Sequence, residues 1–223
     1  MPENELEGMV ADLRKAGFLR SEAVEKAMLE IDRIHFVHGS ERPFAYSDNA
    51  LPVGYGQTIS APTVVAFMLD KLDVKKGMKV LEVGTGSGYN CALLSYLVGP
   101  KGNVYSFDII SELTNLAKEN MGKTGLDTGN CKLATADASC GFEEEAPFDR
   151  IIVTAAMPWF DKAHPLAKQL NPNGKLIAPV GDRLFQDLII FDKKSGNMEK
   201  VLPVIFVPLI GGCGFKTEEH QSK

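Results

Sequence analysis

No stretch of the 223-residue sequence stays apolar long enough to cross a bilayer as a helix, which takes about 20 such residues. The opening MPENELEGMV is acidic and polar where a secretory signal would be basic and then greasy. Both absences predict a soluble, cytoplasmic protein. Cysteine is scarce and scattered: Cys91, Cys131, Cys140 and Cys213 form no C-x-x-C pair, so neither a zinc knuckle nor a redox pair is signalled, and buried free thiols are expected. His35 and His38 can share a helical face, but no acidic or cysteine partner lies nearby, and no metal is expected. Positive charge is also in deficit. With 24 Lys and Arg against 29 Asp and Glu, the net charge of −5 argues against the concentrated basic surface that duplex binding needs. There is no internal repeat, and the only biased segment is the polar tail KTEEHQSK.

What is present is enough apolar material for a core. At 44% hydrophobic residues and this length, the chain predicts one domain carrying an appendage. Leu6, Met9, Val10 and Leu13 recur at helical spacing, and Ser21 can cap a second helix with Val24, Met28 and Ile31 on one face; Gly17 separates the two. Residues 32–60 lose the period and are punctuated by Pro43, Pro52, Gly54 and Gly56, which predicts mostly loop with short strands. Their last part, LPVGYGQTISAP, holds more than a linker or a helix start requires. Ser60 before Ala61 and Pro62 suffices as an N-cap, which leaves Gln57 and Thr58 unexplained.

Beyond Met78 the pattern becomes regular. MKVLEV, NVYSFDI, CKLATA, DRIIVTAA, GKLIAPVG, DLIIFDK and VLPVIFVPL are short β-branched or apolar runs. The first five alternate with segments that can form helices, at residues 89–97, 111–122 (capped by Ser111) and 159–170, which implies parallel pairing through right-handed crossovers. The last two are joined by the turn KKSGN and should pair antiparallel. The expected fold is α/β: a doubly wound, mostly parallel seven-stranded, Rossmann-like sheet with an N-terminal helical extension. The expected division is residues 1–60 (helices and a functional loop packed on the core), 61–212 (the sheet domain) and 213–223 (the tail).

In such a sheet a ligand sits at the carboxyl ends of the strands, where the winding reverses. The first strand runs into EVGTGSGYN, where Gly84, Gly86 and Gly88 let a ligand approach the backbone and the next helix offers N–H groups. The spacing is G-x-G-x-G with Tyr89 where a dinucleotide fingerprint wants glycine, which disfavours nicotinamide. Glu82 before the first glycine would repel a pyrophosphate and accept from an amino group, pointing to a cationic cofactor end. Asp108 ends the second strand, positioned to take both hydroxyls of a ribose or to cap the following helix. Asp137, in TADAS, suits an adenine amino group or an ordinary turn.

VLEVGTGSG, VYSFDI, ADA and FDRIIVTAA, in this order, resemble the successive motifs of class I S-adenosylmethionine-dependent methyltransferases. LPVGYGQTISAP, APFDRIIVTAA, NGKLIAPVG and VPLIGG narrow the resemblance to the protein-L-isoaspartate O-methyltransferase family, over about residues 32–212. The resemblance implies that Glu82, Gly84, Thr85 and Gly86 cradle the methionine part of S-adenosylmethionine, that Asp108 with Ile109 binds ribose, and that Asp137 and Ala138 border adenine. It implies that Gln57, Thr58, Ile59 and Ser60 close over the sulfonium, with Ser60 the catalytic residue. The implied substrates are peptides and proteins carrying L-isoaspartyl residues, methylated on the free α-carboxylate so that the ester can close to a succinimide. The acidic balance and the lack of a long apolar run add the expectation of no nucleic-acid or membrane partner, and a monomer is expected. The sequence departs from the family pattern at Ala136 and Ala138, where glycines are usual, at Asn90-Cys91, often Gln-Ala, and at His38, often proline. Two other readings compete: a class I methyltransferase acting on RNA or a small molecule, and a non-catalytic cofactor-binding protein. The strand ending VTAAMPW lacks the Asn/Asp-Pro-Pro-aromatic motif of amino methyltransferases, and the intact GQTIS argues against lost catalysis.

Overall fold

The computed structural model describes residues 5–125 and 129–216. Helices α1 (Glu5–Lys15) and α2 (Glu22–Glu30) open the chain. Leu6, Met9, Val10 and Leu13 of α1 are buried as their spacing requires, and Ser21 Oγ accepts from the Val24 amide at 3.4 Å to start α2. Two 3-10 turns, Arg33–Phe36 and Gly39–Phe44, lead to a small antiparallel hairpin, β1 (Leu51–Gly54) with β2 (Gln57–Ile59), and then to α3 (Pro62–Leu72).

The seven-stranded sheet follows: β3 (Lys79–Val83), β4 (Asn103–Asp108), β5 (Cys131–Thr135), β6 (Phe148–Val153), β7 (Leu170–Gly181), β8 (Gln186–Asp192) and β9 (Asn197–Val204). The spatial order is β5-β4-β3-β6-β7-β8-β9. The first five are parallel, as the alternation of elements predicts, and β8 is antiparallel to both β7 and β9, the latter pairing as the turn KKSGN predicts. Helices α4 (Tyr89–Val98) and α5 (Ser111–Lys123) make the crossovers from β3 to β4 and from β4 to β5. Winding goes outward from β3 through β4 to β5, then returns to place β6 on β3's other side, so the reversal lies at the carboxyl ends of β3, β4 and β6.

The central strands are buried on both faces, which is why they read as unbroken apolar runs. Val80, Val104, Ile152 and Ile177 join the core formed with α1 to α5, while Leu81, Val83, Ile151, Val153 and Leu176 face a second core. That second core is covered mainly by loops. The helix expected at residues 159–170 shrinks to α6, Pro165–Lys168. His164 precedes proline and is held extended (φ −57°, ψ 138°), and Asp161 Oδ1 closes a local turn on the Ala163 amide at 2.7 Å, so the helix starts only at Pro165.

Three further expectations are corrected. Strand β9 covers Asn197–Val204 and stops before the apolar VPL, which leaves the sheet as a strap. Ser111 is the first helical residue of α5; the N-cap is Ile110, without a side-chain cap. The thiols are not all free: Cys140 and Cys213, 73 residues apart, form a disulfide with a Cα–Cα distance of 5.2 Å, while Cys91 and Cys131 are free. Nothing in their spacing announces this pairing, because the strap alone brings them together. The disulfide also fixes Cys213 to the body of the protein, past the Gly212 boundary, whereas residues 217–223 of the expected tail lie outside the described residues. No helix among the described residues is long and apolar enough to cross a membrane, and none of their His, Cys, Asp and Glu side chains group as metal ligands.

Candidate active site

The reversal point is a trough with two lobes. The first, about 650 Å³, is lined by Gln57, Thr58, Ile59 and Ser60 on one side and by Gly84, Thr85, Gly86 and Asn90 on the other. The second, about 560 Å³, runs past Asp108, Ile109, Asp137 and Ala138 to Leu209 and Ile210. Gln57, Gly84, Asp108 and Ala155 line both lobes, so they form one elongated cleft. Eleven of the twelve residues singled out in the sequence line it; the twelfth, Glu82, does not.

Glu82 lies behind the glycine loop and is wholly buried, not at its mouth. Its carboxyl accepts from Asn90 Nδ2 at 2.7 Å and from Ser106 Oγ at 2.5 Å, and Ser106 meets Thr85 Oγ1 at 2.7 Å. Burial outweighs these hydrogen bonds and pushes its pKa up to about 7. Glu82 therefore fixes Asn90 and Thr85, both of which face the cleft.

The glycine loop owes its course to two kinds of glycine. At Gly84 (φ +101°) a Cβ would collide with the Thr154 hydroxyl, which donates to the Gly84 carbonyl at 2.5 Å. At Gly86 (φ +54°) a Cβ would meet nothing within 4 Å, so open space stands before a backbone that favours glycine. Asp108 ties the loop down: one carboxylate oxygen accepts from the Gly86 amide at 2.9 Å and the other from the Ile110 amide at 3.0 Å. A carboxylate has about four acceptor positions, so two remain for a ligand.

Asp137 fastens the opposite wall. Its oxygens accept from the Ser139 amide at 2.9 Å and the Gly212 amide at 2.8 Å. Burial raises its pKa, but hydrogen bonds from Ser139 and Gly212 outweigh that and leave it below the ordinary value. Ser139 Oγ accepts from the Cys213 amide at 3.0 Å, and the disulfide lies alongside. Residues 207–209 are stitched to the end of β6, since Ala156 N donates to Val207 O at 2.7 Å and Leu209 N to Ala156 O at 2.8 Å.

Ser60 is half-buried in the cleft wall and does not cap α3. The N-cap is Ala61, without a side-chain bond, and Asp48 takes both the amide of Thr63 (2.8 Å) and its hydroxyl (2.6 Å). Asp48 and Thr154 escaped the sequence reading. Asp48 acts from twelve residues before Ser60 across an irregular loop, and Thr154 carried only the signal of closing the strand FDRIIVT.

Comparisons with known proteins agree with this geometry. The sequence profile described as protein-L-isoaspartate(D-aspartate) O-methyltransferase matches residues 4–214. This chain belongs to the protein-L-isoaspartate O-methyltransferase family. Its relatives include the protein-L-isoaspartate O-methyltransferase of Hyperthermus butylicus, 44% identical and covering 96% of this chain and 92% of the other. That of Methanothrix thermoacetophila is 47% identical over 88% of this chain and 91% of the other. Among solved structures, a protein-L-isoaspartate O-methyltransferase from Plasmodium falciparum in complex with S-adenosyl-L-homocysteine matches with a TM-score of 0.82 at 27% identity, covering 93% of this chain and 99% of that one. The chain is an S-adenosylmethionine-dependent methyltransferase with the fold of that family.

Proposed function

We propose that the cleft methylates the free α-carboxylate of L-isoaspartyl residues in damaged peptides and proteins, with Ser60 orienting that carboxylate. The observation that carries the reading is Ser60: a hydroxyl in the cleft wall, on the GQTIS segment, that its helix does not use as a cap. S-adenosylmethionine supplies, when bound, a methyl group on a sulfonium. The trough suits an elongated ligand, since its two lobes share Gln57, Gly84, Asp108 and Ala155 and run from Ser60 to Ala138. Gly84, Thr85, Gly86 and Asn90 would hold its methionine part, Asp108 and Ile109 its ribose, and Asp137 and Ala138 would border its adenine. Glu82 acts from behind by holding Asn90 and Thr85 in place.

The chemistry asks little of the side chains. A carboxylate is ionised at neutral pH, so the site needs no general base. Val65, Met68, Ala155 and Val207 give the cleft an apolar lining that excludes water, which favours a reaction in which opposite charges are consumed. By donating to one carboxylate oxygen, Ser60 leaves the other free to attack, and alignment of this kind is worth several kcal/mol. The protein is taken to act as a monomer in the cytoplasm, without nucleic acid or membrane; its acidic balance supports the absence of a duplex partner. The test is methyl incorporation from labelled S-adenosylmethionine into matched peptides containing isoaspartate, aspartate or neither. Label confined to the isoaspartyl peptide is expected, and equal labelling of all three would defeat the reading.

A further inference from the structure

Two thiols stand outside the cleft and take no part in methyl transfer. Cys91 lies in the first turn of α4 and Cys131 opens β5, 40 residues later, yet the Cys91 thiol donates to Cys131 Sγ at 3.7 Å. The surrounding backbone keeps the sulfurs facing each other. Ser95 Oγ donates to Asn130 Oδ1 at 2.6 Å, and Asn130 Nδ2 donates to the Ser95 and Gly99 carbonyls, both at 3.0 Å, which lashes α4 to the residue before Cys131. The two thiols are unequal. Cys91 is wholly buried, and the bond it donates to Cys131, together with burial, raises its pKa. Cys131 is half-buried on the edge strand of the sheet, and the bond it accepts from Cys91 outweighs burial and lowers its pKa. Cys131 is thus the more nucleophilic sulfur, with a protonated thiol in contact behind it.

We infer that Cys131 is a site of oxidation by hydroperoxides, that Cys91 resolves the product to an intramolecular disulfide, and that this bond loosens the cofactor cleft. The Cys131 thiolate attacks one peroxide oxygen, the O–O bond breaks, and a sulfenic acid forms as hydroxide leaves. The Cys91 thiol then attacks the oxidised sulfur, the S–O bond breaks, and the departing hydroxide takes the Cys91 proton as water. Two thiols and one hydrogen peroxide give one disulfide and two waters; the sulfurs lose two electrons and the peroxide gains them. Bonding draws the sulfurs from 3.7 Å to about 2.0 Å, which pulls the start of α4 toward β5. That movement reaches the cleft through the next residue. Asn90 lines the cleft and donates to Glu82 at 2.7 Å, and the Cys91 thiol itself adjoins Glu82 and Ser106, the groups that hold Thr85.

The test treats the full chain with a small molar excess of hydrogen peroxide, blocks remaining thiols, and maps the peptides by mass. Because Cys140 and Cys213 are already joined, the free-thiol count should fall from two to none, with Cys91 and Cys131 recovered as one cross-linked peptide. Calorimetric affinity for S-adenosyl-L-homocysteine should fall about tenfold, the scale of one lost hydrogen bond, and return on mild reduction that leaves Cys140–Cys213 intact. In Cys91→Ala, Cys131 should stop at the sulfenic acid, trapped by dimedone; in Cys131→Ala, Cys91 should stay reduced and the affinity should not respond to peroxide. Melting curves check that both variants fold. Persistence of both thiols in the treated protein, or oxidation of Cys91 without Cys131, would overturn the inference. A disulfide that leaves the affinity unchanged would overturn its link to the cleft. A loss of affinity that survives in Cys131→Ala would trace the effect to another oxidised residue, such as Met68 in the cleft lining, and would overturn that link as well.

Discussion

The hairpin at residues 51–59 and the strap at residues 207–215 wall the same cleft, yet different forces hold them. The hairpin carries its own antiparallel ladder, and Leu51, Val53 and Ile59 point inward at alternating positions, so local pattern and turn chemistry hold it. Its tip turns through Gly54, Tyr55 and Gly56, all at positive φ. The strap has only isolated bridges, at Ala156 with Pro208 and Ile210 with Phe215, and depends on Asp137, Ser139 and a disulfide. One flap is built from its own sequence; the other is clamped by distant residues. The hairpin side brings the hydroxyl of Ser60 to the cleft, whereas the strap brings backbone and apolar walls. Variants on the first should therefore change turnover with binding intact, and variants on the second should change binding with the chemistry intact.

The largest effect is expected at the hairpin's end. Ser60→Gly and Ser60→Asn should fold and bind S-adenosyl-L-homocysteine yet lose methyl transfer by ~10² or more, because small misplacements cost that much. Ser60→Thr keeps the hydroxyl and should retain more activity. Since Ser60 does not cap α3, melting temperatures should barely move, and full turnover in a well-folded Ser60→Gly protein would break the contrast.

Glu82 lies under the glycine loop, beneath both flaps, and is read through pH. Its folded pKa of about 7 stands above its unfolded value, so the native state holds the extra proton between the two. Its contribution is complete below about pH 4.5 and is lost as pH rises through about 7, by on the order of 3 kcal/mol. Urea unfolding of the unmodified protein and of Glu82→Gln across pH 4.5 to 8 should show the difference between them shrinking in favour of the variant as pH rises. Parallel curves would return Glu82 to an ordinary carboxylate.

Asp108→Ala should weaken S-adenosyl-L-homocysteine binding by ~1–3 kcal/mol, the range for losing charged hydrogen bonds. Because the same carboxylate holds the Gly86 and Ile110 amides, Asp108→Asn should recover part of that loss, and calorimetric titration of both separates ligand contact from loop support. The smallest effect belongs to the strap. Cys213→Ser releases its covalent tie but leaves Asp137 on Gly212, so cofactor affinity should drop only a few-fold, ~1 kcal/mol, with turnover at saturating cofactor unchanged. A large fall in saturated turnover would show that the strap takes part in the chemistry and erase the distinction.

Much of this architecture was legible because it is periodic or local. The seven runs after Met78 gave the strands, their alternation with helices gave parallel pairing, and the turn KKSGN gave the final antiparallel pair. The motifs VLEVGTGSG and TADAS fell on one cleft because they follow β3 and β5 at the same edge of the parallel sheet, and the β1–β2 hairpin brings GQTIS to that edge. The glycine loop's course follows from its residue types, since Gly84, Gly86 and Gly88 all stand at positive φ.

Only the tertiary structure decided the rest, because it depends on which distant groups meet. Glu82 reads as an exposed charge at a loop mouth until the strand buries it behind Asn90 and Ser106, where desolvation raises its pKa. Ser60 reads as a helix cap until Asp48, brought across an irregular loop, takes that duty. Cys140 and Cys213 read as two of four scattered thiols until the strap crosses the sheet end and sets them 5.2 Å apart. Periodicity records what each residue does within its own element; burial, capping from afar and cross-linking belong to pairs separated by tens of residues, and no local pattern encodes a meeting that the whole fold has to arrange.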